Sequence, residues 1–240
     1  MCCCAARRWS RTEQTSSPPG PWARYWREAM GAGVLPVVLI AAVAAATAAL
    51  VAAELRGRRR TAVAAKVTAS VAFVLLGLCR ANLATPYDAW VLAALVLCFA
   101  GDVLLALPRG LTAGLACFLV GHLAYAAAFS TVVPLAAWPW PAAAAMAVPS
   151  AAVAVWLWPH LGRMRIPVLA YIAVITAMVW GALSVAGRAP WPVPAGALLF
   201  YLSDLAVARD RFVVRRFASR AWGLPAYYAA QVLLALTLGR

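Results

Sequence analysis

Residues 196–212 read GALLFYLSDLAVARDRF. The run is an apolar helix with one acid, Asp204, set inside it, and it closes on the charged cluster Arg209, Asp210 and Arg211. Residues 95–107, LVLCFAGDVLLAL, repeat the arrangement with Asp102 inside. Burying a carboxylate at the centre of a membrane-spanning helix costs roughly 3 kcal/mol even on the mildest scales, so such an acid marks a functional site. The chain has only 7 acidic residues in 240. Two of them inside apolar helices, at matching depth, give the rest of the sequence its purpose as a frame.

Composition sets the class. The chain is 65% hydrophobic and 12% charged, against about half and a quarter for soluble domains. The apolar runs are about twenty residues long, as spanning helices require, and they lack the alternation of a transmembrane barrel. Eight such segments fall at about 34–53, 61–79, 88–107, 111–133, 141–158, 166–186, 190–208 and 221–238. The expected fold is an all-α polytopic bundle of about eight spanning helices over residues 34–240. Asp88 reads as the N-cap of the third span. Pro192 and Pro194 fall in the first turn of the seventh, where a missing N–H matters least. Pro149 interrupts the fifth. Trp138, Trp140, Trp156, Trp158 and Trp191 stand at segment ends, as an aromatic belt predicts. Residues 1–33 are polar, Arg-rich and broken by Pro18 and Pro19. They read as a disordered tail rather than a signal peptide, because no apolar core follows within them. Met30 directly precedes the first apolar run and is an alternative start, which would leave the tail untranslated.

The net charge is +14, yet the arginines do not form a nucleic-acid stripe. They fall in the loops after the first, third, fifth and seventh spans: Arg56, Arg58, Arg59, Arg60, Arg109, Arg163, Arg165, Arg209, Arg211, Arg215, Arg216 and Arg220. The other loops hold Arg80 and Arg188. The positive-inside pattern therefore puts the odd loops in the cytoplasm and both termini outside. The arginines of the tail oppose that orientation, and a start at Met30 removes the conflict. Cys2, Cys3 and Cys4 lie in the tail, while Cys79, Cys98 and Cys117 lie in or beside apolar runs. Their spacing supports neither zinc nor a disulfide framework, and the last three read as buried thiols acting as small apolar residues.

Several polar groups agree in depth. At 1.5 Å per residue, Asp102 lies roughly 7 Å and Asp204 roughly 6 Å from the inner end of its segment. Lys66, the single lysine, is five residues into the second span. Tyr227 and Tyr228 lie about one to two turns into the eighth, with Gln231 a turn later. His122 and Tyr125 share one face of the fourth. Each has a structural alternative: an acid fixing helix register, a snorkelling lysine, a packed histidine, belt tyrosines, or Ser203 bonding back to its own helix. Gly101 and Gly121 equally suit close helix approach.

These residues resemble the lysoplasmalogenase (YhhN-like) family of polytopic membrane proteins. The resemblance rests on Lys66 opening the second span, on residues 101–105 (GDVLL) and 121–125 (GHLAY), and on 200–204 (FYLSD) and 227–231 (YYAAQ). It covers about residues 34–238 and departs at Val67, where the family often has proline. It implies eight helices and hydrolysis of the vinyl ether bond of lysoplasmalogens, with a membrane lysophospholipid as substrate and no cofactor or metal. The products would be a fatty aldehyde and a glycerophospho-ethanolamine or -choline. The expected setting is the plasma membrane of a bacterium.

The residues suit that chemistry. A vinyl ether is stable to base and opened by acid: a proton goes to carbon, an oxocarbenium ion forms, water adds and the hemiacetal collapses. Two carboxyls crowded in low dielectric cannot both ionise, so the pair retains a proton. Glycoside hydrolysis uses paired carboxyls around a similar cation. Asp102 and Asp204 are the expected catalytic pair, with either one as the acid. Lys66 is expected to bind the lipid phosphate or tune the pair. His122, Tyr125, Ser203, Tyr227, Tyr228 and Gln231 would line the substrate or water site. A proton-coupled transporter of lipids or small molecules is the alternative, since intramembrane Asp and His also mark ion paths. An intramembrane aspartyl protease would need glycine at position 99, where Phe99 stands.

Overall fold

The computed structural model describes residues 33–239. The expected tail and the alternative start at Met30 lie outside them, apart from Gly33. Among the described residues the chain forms eight α-helices: α1 (Val34–Leu55), α2 (Arg59–Arg80), α3 (Pro86–Ala106), α4 (Leu111–Val132), α5 (Trp140–Leu157), α6 (Arg165–Ser184), α7 (Pro192–Ala208) and α8 (Phe217–Ala235). Six of them, α1 to α6, are long and apolar enough to cross a membrane. The chain is an integral membrane protein with an all-α architecture.

Short loops make neighbouring helices antiparallel. The pairs α1–α2, α3–α4 and α7–α8 are the most intimate, and α8 also packs on α1, α2 and α3. Close approach is secured by glycines. A Cβ on Gly101 would fall 2.7 Å from the Phe118 ring, so a larger residue there would displace that ring from the α3–α4 contact. A Cβ on Gly223 would fall 2.5 Å from Ala206 Cβ, which fixes α8 against α7 at the level of Ser203. The acids on α3 and α7 are thereby aimed at the same interior. By contrast α5 is peripheral: it packs on α6 and buries only Ser150 and Leu157. It runs unbroken through Pro149, with Ser150 bonding Thr176 at 2.7 Å and Tyr201 at 3.1 Å to hold it in place.

Three expectations are corrected. Thr85, not Asp88, caps α3: its hydroxyl accepts from the Asp88 N–H, and Pro86 occupies the first turn. The Asp88 carboxylate instead accepts from the N–H groups of Asn82 and Gly239, each at 2.8 Å, and so ties the C-terminal end of the chain to the α2–α3 loop. Trp138 is not a belt residue. It is 4% exposed, donates its indole N–H to the Val133 carbonyl and fills the space left by Gly181. Cys79 is exposed rather than buried, while Cys98 is buried.

Candidate active site

Two carboxyl-centred networks lie at the arginine-rich end of the bundle. The first is built on Asp102, which is 1% exposed. Lys66 Nζ reaches its Oδ1 at 2.7 Å. Ser70, one turn along α2 from Lys66, donates to Oδ2 at 2.7 Å and shares that proton with the Lys66 carbonyl at 3.0 Å. Tyr227 donates to the same Oδ2 at 2.7 Å. Tyr228 stands behind, donating to the Lys66 carbonyl at 3.3 Å. A buried ion pair offsets its own desolvation only when the remaining lone pairs are bonded, and here both carboxylate oxygens are.

The second network is built on Asp204. Tyr171 on α6 donates to its Oδ2 at 2.8 Å. His122 Nε2 lies 3.4 Å from the same oxygen, and its alignment makes no hydrogen bond. His122 Nδ1 is 2.6 Å from the Phe118 carbonyl. A carbonyl only accepts, so Nδ1 carries the hydrogen and Nε2 is the ring atom that faces Asp204. No lysine or arginine pairs with Asp204 among the described residues. The two networks are separated by one ring: Phe200 lies 4.5 Å from the His122 ring and 5.4 Å from Tyr227, centroid to centroid.

A cavity of about 690 Å³ joins them. Lys66, Asp102, Tyr171, Ser203, Asp204 and Tyr227 all line it. Its mouth is basic, with Arg58, Arg59, Arg211, Arg215 and Arg220 on the rim. Arg220 bridges Glu54 at 2.7 Å and Asp210 at 3.2 Å, which ties α1, the π-turn Arg209–Val213 and α8 together at that rim. Arg209 adds a bond to Ser219 at 2.8 Å.

The expected site residues thus divide. Lys66, Asp102, Ser203, Asp204 and Tyr227 face one cavity; His122 and Tyr228 support the acids from behind. Tyr125 and Gln231 bond each other at 2.8 Å and do not line the cavity. Although Tyr125 is one turn from His122, its hydroxyl points to α8 rather than to Asp204. Neither acid bonds the other; each has its own partners, because Phe200 stands between the two networks. Lys66 spends its charge on Asp102. Two residues escaped the sequence reading. Ser70 carried a signal, the i to i+4 spacing from Lys66, whereas Tyr171 had no ionisable or polar residue one turn away on its helix to single it out. Among the described residues no three His, Cys, Asp or Glu side chains gather in a way that would hold a metal ion.

Comparison with known proteins shows what the chain is similar to. The mouse protein named lysoplasmalogenase TMEM86B is 35% identical over 150 residues, 62% of this chain and 63% of its own. The lysoplasmalogenase of Mycobacterium tuberculosis is 35% identical over 159 residues, 60% of this chain and 58% of its own. Human TMEM86B, also named a lysoplasmalogenase, is 34% identical over 153 residues, 60% of this chain and 61% of its own. The chain therefore matches roughly three-fifths of the length of these relatives. No solved structure matches it. The sequence profile of the YhhN family matches residues 61–238, which span α2 to α8 and both acid networks. The chain belongs to the YhhN family.

Proposed function

We propose that the protein is a membrane hydrolase that cleaves the vinyl ether bond of lysoplasmalogens in a bacterial plasma membrane, releasing a fatty aldehyde and a glycerophospho-ethanolamine or -choline. The observation that carries this reading is that Asp102 and Asp204 open on one polar cavity with a basic mouth. Asp204 is the proton donor. Of the two acids it is the one with no lysine or arginine bridged to it among the described residues, whereas Asp102 is held by Lys66, Ser70 and Tyr227. The proton passes from Asp204 to the alkenyl carbon distal to the ether oxygen, leaving an oxocarbenium ion. Water from the polar cavity adds to the carbon bonded to oxygen, and the Asp204 carboxylate takes the proton that water gives up. Collapse of the hemiacetal releases the aldehyde and the glycerol hydroxyl, so one water is consumed and the acid is restored.

The neighbours have matching tasks. The Asp102 carboxylate, held by Lys66, Ser70 and Tyr227, is fixed negative charge near the developing cation. His122 and Tyr171 orient Asp204. Since Lys66 is committed to Asp102, the lipid phosphate is met by the rim arginines, whose guanidinium forks suit phosphate oxygens. The test is mass spectrometry of lipids after incubating purified protein with a lysoplasmalogen and, separately, with an ester lysophospholipid. Aldehyde release from the first alone is expected. Loss of the ester alone would redirect the reading to a lysophospholipase. Lipid or proton flux in proteoliposomes without cleavage would favour the transporter.

A further inference from the structure

A second cavity adjoins the first. It measures about 250 Å³ and lies among α4, α5, α6 and α7. Its walls are Leu119, Val153, Val168, Ile175 and similar apolar side chains, with Asp204, Tyr171, Tyr201 and Thr112 as the only polar-bearing exceptions. Leu115, Tyr171, Asp204 and Val207 line both cavities. The Asp204 carboxyl therefore stands at a threshold, with a polar, arginine-rimmed space on one side and an apolar chamber on the other. Along α6 the chamber wall runs from Pro167 to Ile175, roughly 12 Å at 1.5 Å per residue. Tyr171 falls midway along that wall, so about 6 Å of it, from Tyr171 to Ile175, lies beyond the threshold.

We infer that this chamber is the subsite for the hydrocarbon chain of a single-chain phospholipid, with Leu119 and Ile175 at its far end setting the chain length accepted. The inference rests on the proposed hydrolase reading and extends it. A lysoplasmalogen has one polar headgroup, one chain, and a vinyl ether at the junction between them. With the phosphate at the arginine rim and the chain in the chamber, that junction falls at Asp204. A chain entering between Leu115 and Val207 leaves the threshold and meets Leu119 on α4 and Ile175 on α6, each one turn beyond Leu115 and Tyr171. Two lipid chains from one glycerol would need a second apolar space at the same threshold, so the arrangement favours lyso lipids. The outer wall is Val153 and Leu157 of the peripheral helix α5, a short path from the bilayer.

The test uses purified full-length protein and 1-O-alkyl lysophosphatidylethanolamines, which lack the vinyl double bond and are not cleaved by acid addition. First, a probe with a diazirine at the chain end is photo-crosslinked to the wild-type protein and the adducts are mapped. Adducts on α4, α5 or α6 around Leu119, Val153 and Ile175 are expected; adducts confined to α1, α2 or α8 would overturn the subsite. Second, decyl and octadecyl probes are compared by native mass spectrometry. Leu119→Trp should shift the ratio of affinities toward decyl by about tenfold or more, the discrimination that a lost methylene contact supports in an apolar pocket. Ile175→Ala should shift it toward octadecyl. Ratios identical to wild type in whichever of the two variants elutes as a folded protein would overturn the length assignment. If the wild type shows the expected adducts and yet releases no aldehyde from an alkenyl lipid, the hydrolase reading fails and the chain subsite stands.

Discussion

At the scale of single residues, Lys66 and Asp102 stabilise the bundle only as a set. Their 2.7 Å contact is all but shut off from water on the Asp102 side, with that residue 1% exposed. Removing one partner leaves the other charge buried and alone, which typically costs 3–5 kcal/mol. Lys66→Met and Asp102→Asn should each lower stability by about 3 kcal/mol or more in thermal unfolding of the detergent-solubilised protein, while the double variant should lose less than the sum. Asp204 behaves differently, because no cation depends on it. Asp204→Asn keeps an oxygen to accept from Tyr171, so stability should change by no more than about 1 kcal/mol. Aldehyde release should nevertheless fall by about 100-fold or more, the contribution of a general acid. An Asp204→Asn protein that inserts normally and keeps full activity would remove Asp204 from the chemistry. Both acids were legible in the sequence as apolar-helix aspartates. Their unequal partners were not, because Tyr171 comes from a helix with no acid or histidine to mark it as part of a site.

At the scale of helices, small residues decide how near the acids come. Gly223 faces Ala206 across the α7–α8 contact, and both are backbone-near groups that cannot swing aside. Gly223→Ala should therefore destabilise by about 1–3 kcal/mol through overpacking, and Ala206→Gly in the same chain should restore part of that loss. Gly101→Ala meets the ring of Phe118 instead. That ring packs edge-on to Tyr227 with centroids 5.8 Å apart, so the variant should disturb the Tyr227–Asp102 bond. It should impair aldehyde release more than stability, as read from parallel unfolding and activity measurements. Helix existence was evident from apolar runs alone. Helix starts were not always so: Asp88 and Thr85 are three residues apart and both suit a cap, and only the turn around Pro86 decides between them.

At the scale of the whole molecule, the charge pattern orients the bundle. Every arginine of the cavity mouth belongs to an odd-numbered loop or its adjoining turn, so the positive-inside pattern predicts a cavity that opens to the cytoplasmic leaflet. In a background free of native cysteines, Arg58→Cys should resist a membrane-impermeant thiol reagent in intact cells and react after lysis. Arg188→Cys should react in both. The opposite result would invert the topology and move the substrate to the other leaflet.

The membrane class and the number of helices could be read from the amino-acid order alone. Those properties depend on length, hydropathy and the rise of a helix, all of which are local. Only the tertiary structure decided that Lys66 answers Asp102, that Tyr171 and His122 attend Asp204, that Tyr125 turns away to Gln231, and that two cavities meet at one carboxyl. Such partnerships depend on the rotation of each helix about its axis. That rotation is set by close contacts such as Gly223 against Ala206, between residues that a one-dimensional pattern has no means of pairing.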